Sequence, residues 1–270
     1  MNGFARVRKL LHFTAAMLSF AMVLDTWLPA PIEVPPLGSD VHVWRIDVPR
    51  WRPCVPMLRR LLTPEEQVRA DRFRFETDVQ SFIVARGILR LLLGDLLHLR
   101  PSQVAFTYSP SGKPSTDGIE FNLAHSGEII LIAAHHYDIG VDVEHLDRSV
   151  DVVAMSHYFT ARECALIAES SASREAFFRL WTRKEAWLKA VGTGFSFPLN
   201  RVDVADAAAP LMIEPDAVID GVLPLRIVDL PLEIGYVGAC AVSVPDCGVR
   251  LWCLDETWRN NPALVAVNCS

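Results

Sequence analysis

The 270-residue chain predicts a mixed α and β fold in two halves, and two observations carry that reading. Strand-like stretches near 41–48, 119–127, 128–135, 138–145 and 234–242 surround two long segments, 78–97 and 174–191, whose apolar residues recur at helical spacing. Each half therefore holds several strands and one long helix. A composition of 51% hydrophobic and 21% charged residues is enough to bury a large core. The division expected is an extension over 1–40, a first half over 41–138, a second over 139–250 and a tail over 251–270. No internal repeat is clear enough to assert.

Taken in order, Arg6, Arg8 and Lys9 precede an apolar stretch from Leu10 to Leu24 that looks like a signal-peptide core. His12, Thr14 and Ser19 interrupt it, no A-x-A site follows, and it falls short of the ~20 residues a spanning helix needs. A leader, an N-terminal helix and a later start at Met17 or Met22 are the competing readings. Pro29, Pro31, Pro35 and Pro36 then make 29–40 extended. In VHVWRIDV, Trp44, Ile46 and Val48 alternate with polar neighbours, the period of a half-buried strand. TPEE at 63–66 starts a helix, with Thr63 as cap, Pro64 in the first turn and Glu66 closing a capping box. Arg69, Arg72 and Arg74 give that helix a basic side. Arg86 and Arg90, four apart in the next helix, form a cationic stripe. Short strands and turns follow Pro101. Thr160 with Glu163 makes a second capping box, and Gly192 and Gly194 stop the helix over 174–191.

A net charge of -6 argues against general nucleic-acid binding, which depends on Lys and Arg neutralising phosphates. An anionic ligand must meet a local basic patch instead. The six cysteines form no CxxC pair, so they read as reduced thiols; Cys247, Cys253 and Cys269 could pair only in an exported chain. The expectation is a cytoplasmic protein with no membrane partner.

Asp142 and Glu144 lie two apart in a strand, so both carboxylates project from one face and Val141 and Val143 from the other. Such a pair repels unless a cation or proton lies between, and oxygen ligands suit magnesium. Alone it fits a solvated edge-strand face better than a metal site. In FFRLWTRKEAWLKAVG, residues 177–192, Glu185 and Lys189 share a helix face, which alone is an ordinary salt bridge. His125 opens a loop after a strand and could donate to a phosphate, while Lys113 sits in a Gly-Lys-Pro turn. A histidine-rich segment (His125, His135, His136, Asp138, His145) raises a zinc hydrolase as an alternative, but its spacing follows no zinc motif. No G-x-S-x-G elbow or Cys/His dyad supplies a nucleophile.

The ordered set FNLAHSG at 121–127, GVDVE at 140–144 and LWTRKEAWLKAVGTG at 180–194 resembles the 4'-phosphopantetheinyl transferases of the long, surfactin-synthetase type. TPEEQVRADRFRF, ARGILR and SGKP extend the resemblance, which runs from about Trp44 to Val204. It implies an α+β fold of two similar halves related by a pseudo-twofold, with coenzyme A in the cleft between them. It implies transfer of phosphopantetheine to a serine of an apo acyl carrier protein or peptidyl carrier domain, with magnesium (or manganese) as cofactor. Asp142, Glu144 and Glu185 then look like metal ligands, and Lys189 would neutralise the departing oxygen. Arg69, Lys113, Asn122 and His125 would line the coenzyme pocket. Glu185 is the favoured base and Glu144 the second choice. Ala124, where relatives commonly carry serine, implies one missing phosphate hydrogen bond, and Glu66 falls where some relatives are basic. The resemblance also admits a non-catalytic carrier-binding adapter. A chain holding both halves can complete the cleft as a monomer.

Overall fold

The computed structural model describes residues 27–110, 112–147, 149–192, 197–206, 211–213, 225–244 and 247–268. The apolar stretch at 10–24 and Gly194 lie outside the described residues. Two sheets form the centre. The first runs β1 (Leu28–Pro29), β11 (Val249–Cys253), β2 (Val41–Asp47), β6 (Ile129–His135), β5 (Glu120–Ser126). The second runs β7 (Ile139–His145), β10 (Tyr236–Val242), β9 (Leu225–Leu230), β8 (Leu211–Ile213). A ribbon of β3 (Thr107–Tyr108) and β4 (Pro114–Ser115) stands apart. The helices are α1 (Val48–Trp51), α2 (Val55–Arg60), α3 (Pro64–Ala70), α4 (Glu76–Leu97), α5 (Ala161–Glu169), α6 (Ser173–Val191) and α7 (Pro262–Asn268).

Three apolar seams glue these elements into layers. Trp44, Ile46 and Ile132 of the first sheet pack on Leu58, Ile88 and Leu92 of α2 and α4. The other face of that sheet, through Val43, Leu131 and Ala133, meets Val141, Val143 and Cys240 of the second. The second sheet's outer face then packs Ile227 and Ala239 on Phe177, Trp181 and Leu188 of α6. The order is helix, sheet, sheet, helix. β2 is consequently buried on both faces rather than half-buried, because the second sheet covers the side that its polar alternation offered to water.

Both capping boxes form: Thr63 Oγ1 accepts from the Glu66 amide, and Thr160 Oγ1 from the Glu163 amide. α6 ends at Gly192, whose φ of 76° is the left-handed C-cap glycine tolerates. Glu163 serves a second purpose. Its carboxylate lies 2.8 Å from the Lys184 ammonium, both side chains fully buried, which ties α5 to α6.

The described residues from 251 onward correct the expected tail. β11 pairs parallel with β2, and Trp252, Leu254, Trp258 and Leu264 are buried in the first seam. Trp51 Nε1 donates to Leu254 O at 3.0 Å. The Pro-rich lead-in is extended but packed, since Trp258 Nε1 donates to Pro31 O at 2.9 Å. The described cysteines are free thiols. Among the described residues no helix is long and apolar enough to cross a membrane.

Candidate active site

The site begins with a glycine. A Cβ on Gly140 would stand 2.0 Å from Ala186 O and 2.5 Å from Ala190 N, so only glycine lets the α6 backbone lie directly on β7. That close crossing carries Lys189 over the strand. Its Nζ lies 2.7 Å from Asp142 Oδ1 and donates to Val141 O at 3.3 Å. Asp142 Oδ2 is buried without a hydrogen-bond partner. Burial pushes the Asp142 carboxyl up to about 6; the Lys189 ammonium pulls it down without overcoming that cost. Along the same face of β7, Glu144 Oε2 accepts a hydrogen bond from Ser126 Oγ at 3.0 Å.

Both carboxylates face a cavity of about 840 Å³ bounded by α4, β5 and β7, a volume within the ~300–1,000 Å³ typical of cofactor-sized ligands. Arg69 and Arg86 enter it from the helices, and Asn122 and His125 from β5. The Arg69 guanidinium sits over the Phe82 ring, 5.3 Å from its centroid. Arg86 has a buried Nη1 with no hydrogen-bond partner among the described residues. The His125 imidazole, exposed at the cavity rim, is held below its usual range by partial desolvation and by the nearby Lys189 ammonium. The cavity thus brings two arginines and a histidine together with the carboxylates of Asp78, Asp142 and Glu144, groups that suit a metal-associated polyphosphate.

Several sequence expectations meet different surroundings. Lys113 does not line the cavity; its Nζ donates to Ile139 O at 3.3 Å and Ala190 O at 3.4 Å, strapping the end of α6 to the start of β7. Arg90 is no surface stripe. It is buried, donates twice to Glu66 and caps Pro101 O and Val104 O. Glu66 is therefore a buried counter-ion, also 3.5 Å from Arg86, and Arg86 supplies the second cavity cation that the acidic residue was expected to displace. Ala124 lies in the apolar seam with Val141 and Val143, away from the cavity. Asn122 turns its Oδ1 to the Val141 amide at 2.9 Å. Glu185 stands one turn before Lys189 on α6 and is not part of the cavity wall.

Among the described residues no three His, Cys, Asp or Glu side chains are grouped closely enough to cage a metal ion; the carboxylates of Asp142, Glu144 and Glu185 form no such group, nor do the histidines raised for zinc. Magnesium does not require a protein cage. It commonly takes one or two carboxylates and completes its shell with water and substrate phosphate. Asp142 and Glu144, adjacent on one face with a buried, unpartnered Oδ2, fit that pattern.

Comparison with known proteins identifies the family. Residues 49–137 match the family described as 4'-phosphopantetheinyl transferase, N-terminal, and residues 138–213 match the 4'-phosphopantetheinyl transferase superfamily. The 4'-phosphopantetheinyl transferase HetI of Nostoc sp. is 36% identical over 194 residues, covering 68% of this chain and 81% of that protein. The 4'-phosphopantetheinyl transferase psf-1 of Bacillus pumilus is 29% identical over 59% of this chain and 70% of its own length. Sfp of Bacillus subtilis is 25% identical over 53% and 66% respectively. The chain belongs to the 4'-phosphopantetheinyl transferase superfamily.

Proposed function

We propose that this protein transfers the 4'-phosphopantetheine group of coenzyme A to a serine hydroxyl of an apo acyl or peptidyl carrier protein, releasing adenosine 3',5'-bisphosphate. The observation that carries the reading is one cavity that gathers Arg69 and Arg86 from the helices with His125, Asp142 and Glu144 from β5 and β7, Lys189 standing beside Asp142. Each half backs its sheet with one long helix, α4 or α6, which supports a pseudo-twofold pair with the site in the cleft between them.

Asp142 and Glu144 would hold magnesium; Glu185, which the resemblance adds as a third ligand, stands on α6 outside the cavity wall. Bound there, the ion supplies charge neutralisation to the coenzyme's diphosphate. Arg69, Arg86 and His125 hold phosphate oxygens and exclude water from that wall. Lys189 neutralises the negative charge that develops on the departing phosphate oxygen as the serine oxygen bonds to phosphorus and the diphosphate bridge breaks. A carboxylate accepts the serine proton: Glu185 by the resemblance, or Glu144, which faces the cavity. Glu185→Gln and Glu144→Gln separate the two, since only the base variant flattens the acid limb of the kcat profile.

The test mixes the protein, coenzyme A and magnesium with several apo carriers and follows carrier mass. A gain equal to one phosphopantetheine, abolished by chelator and by Asp142→Ala, supports the reading. No gain on any carrier overturns it.

A further inference from the structure

β5 and β7 run beside one another along the cavity, yet they belong to different sheets and no backbone ladder joins them. Side chains do. Asn122, Ala124 and Ser126 share one face of β5, as the two-residue period requires, and that face meets β7. Asn122 Oδ1 accepts the Val141 amide at 2.9 Å, and Ser126 Oγ accepts the His145 amide at 2.9 Å. Those two bonds bracket Asp142 and Glu144. Ser126 does more than its neighbour, because its hydroxyl proton goes to Glu144 Oε2 at 3.0 Å. A serine hydroxyl has one proton to give and lone pairs to receive. Here the proton fixes the carboxylate and a lone pair fixes the backbone next to it.

We propose that Ser126 is a positioning residue for the transfer reaction: it holds the Glu144 carboxylate, and the β7 backbone beside it, in the orientation that faces the diphosphate. This rests on the functional reading above. Without the hydroxyl, Glu144 loses its charge-assisted bond and regains rotamer freedom, and the His145 amide loses its acceptor. Binding of the adenosine and 3'-phosphate portions, which would fall to the arginines and His125, is not touched. The role therefore shows in turnover rather than in coenzyme affinity.

Ser126→Ala and Ser126→Thr test this together, because threonine keeps the hydroxyl and suits a strand. Ser126→Ala is expected to lower kcat roughly 10- to 100-fold, the worth of one hydrogen bond to a charged group, with KM for coenzyme A changed less than about threefold. Ser126→Thr should restore kcat to within about threefold of wild type. In chelator, hydrogen exchange of the metal-free protein should accelerate at the His145 amide in Ser126→Ala, stay slow in Ser126→Thr, and be unchanged at Val141. Wild-type turnover in Ser126→Ala, failure of threonine to rescue, or unaltered exchange at His145 overturns the proposal. Absence of transfer by the wild type overturns the functional reading and the catalytic role with it, while the exchange data still report whether Ser126 holds the strand.

Discussion

Replacing Asp142 by asparagine should stabilise the metal-free protein. The buried Asp142 carboxyl is raised from 3.8 to about 6, so its ionised form is the less favoured one inside the fold. At about 1.4 kcal/mol for each tenfold change in proton affinity, ionising it costs the folded state roughly 3 kcal/mol. An asparagine has no such charge. Its amide N–H₂ in place of the unpartnered Oδ2 takes back about 1 kcal/mol, leaving a net gain of roughly 2 kcal/mol. The sign with pH follows from a folded-state value above the unfolded one. The acid form's stability is fully present below about 4, and wild type loses it as pH rises through about 6. The variant should therefore melt roughly 4–8 °C above wild type at pH 8 in chelator, converging with it near pH 4. Thermal and urea unfolding at both pH values check this. A variant no more stable than wild type at pH 8 would refute the claim that burial of an ionised carboxylate is a cost built into this site.

Other consequences are as direct. Gly140→Ala must push α6 away from β7, so we expect a loss of at least about 1–3 kcal/mol in urea unfolding together with loss of transfer; an unchanged midpoint would contradict the close crossing. Lys189→Ala should cut kcat on the order of 100-fold while coenzyme binding, measured by calorimetry, weakens far less. Lys184→Met strands the buried Glu163 carboxylate and should cost about 3–5 kcal/mol by denaturant titration, although Lys184 stands one residue from Glu185. Arg86→Ala should raise KM for coenzyme A with a smaller change in kcat, a split that steady-state kinetics reads.

How much of this was legible in the sequence depended on range. Capping boxes at Thr63 and Thr160 involve residues three apart, and both formed. The alternation of Val141 and Val143 with Asp142 and Glu144 spans a few residues, and it put both valines in the apolar seam and both carboxylates on the cavity, which Val143 also borders. Long-range pairing left no such trace. Nothing local in VRLWC announces a parallel partner in Val41–Asp47, so the last twenty residues read as a tail. Arg86 and Arg90 look equivalent at helical spacing, yet Glu66 and two carbonyls claim Arg90 for the core while Arg86 reaches the cavity. Lys113 is spent on one carbonyl at the end of α6 and one at the start of β7, whose nearness no turn motif encodes. Ser126 carries no local signal, because its partners, Glu144 and His145, come together with it only when the two sheets pack on one another.

The claim on which the rest depends is that the cavity beside β7 holds a divalent ion and the coenzyme's diphosphate against Asp142 and Glu144. Anomalous diffraction from crystals grown with manganese and coenzyme A measures it. A manganese peak is expected in contact with carboxylate oxygens of both residues and with the diphosphate. A peak elsewhere, or a coenzyme bound with its diphosphate away from these side chains, would contradict it.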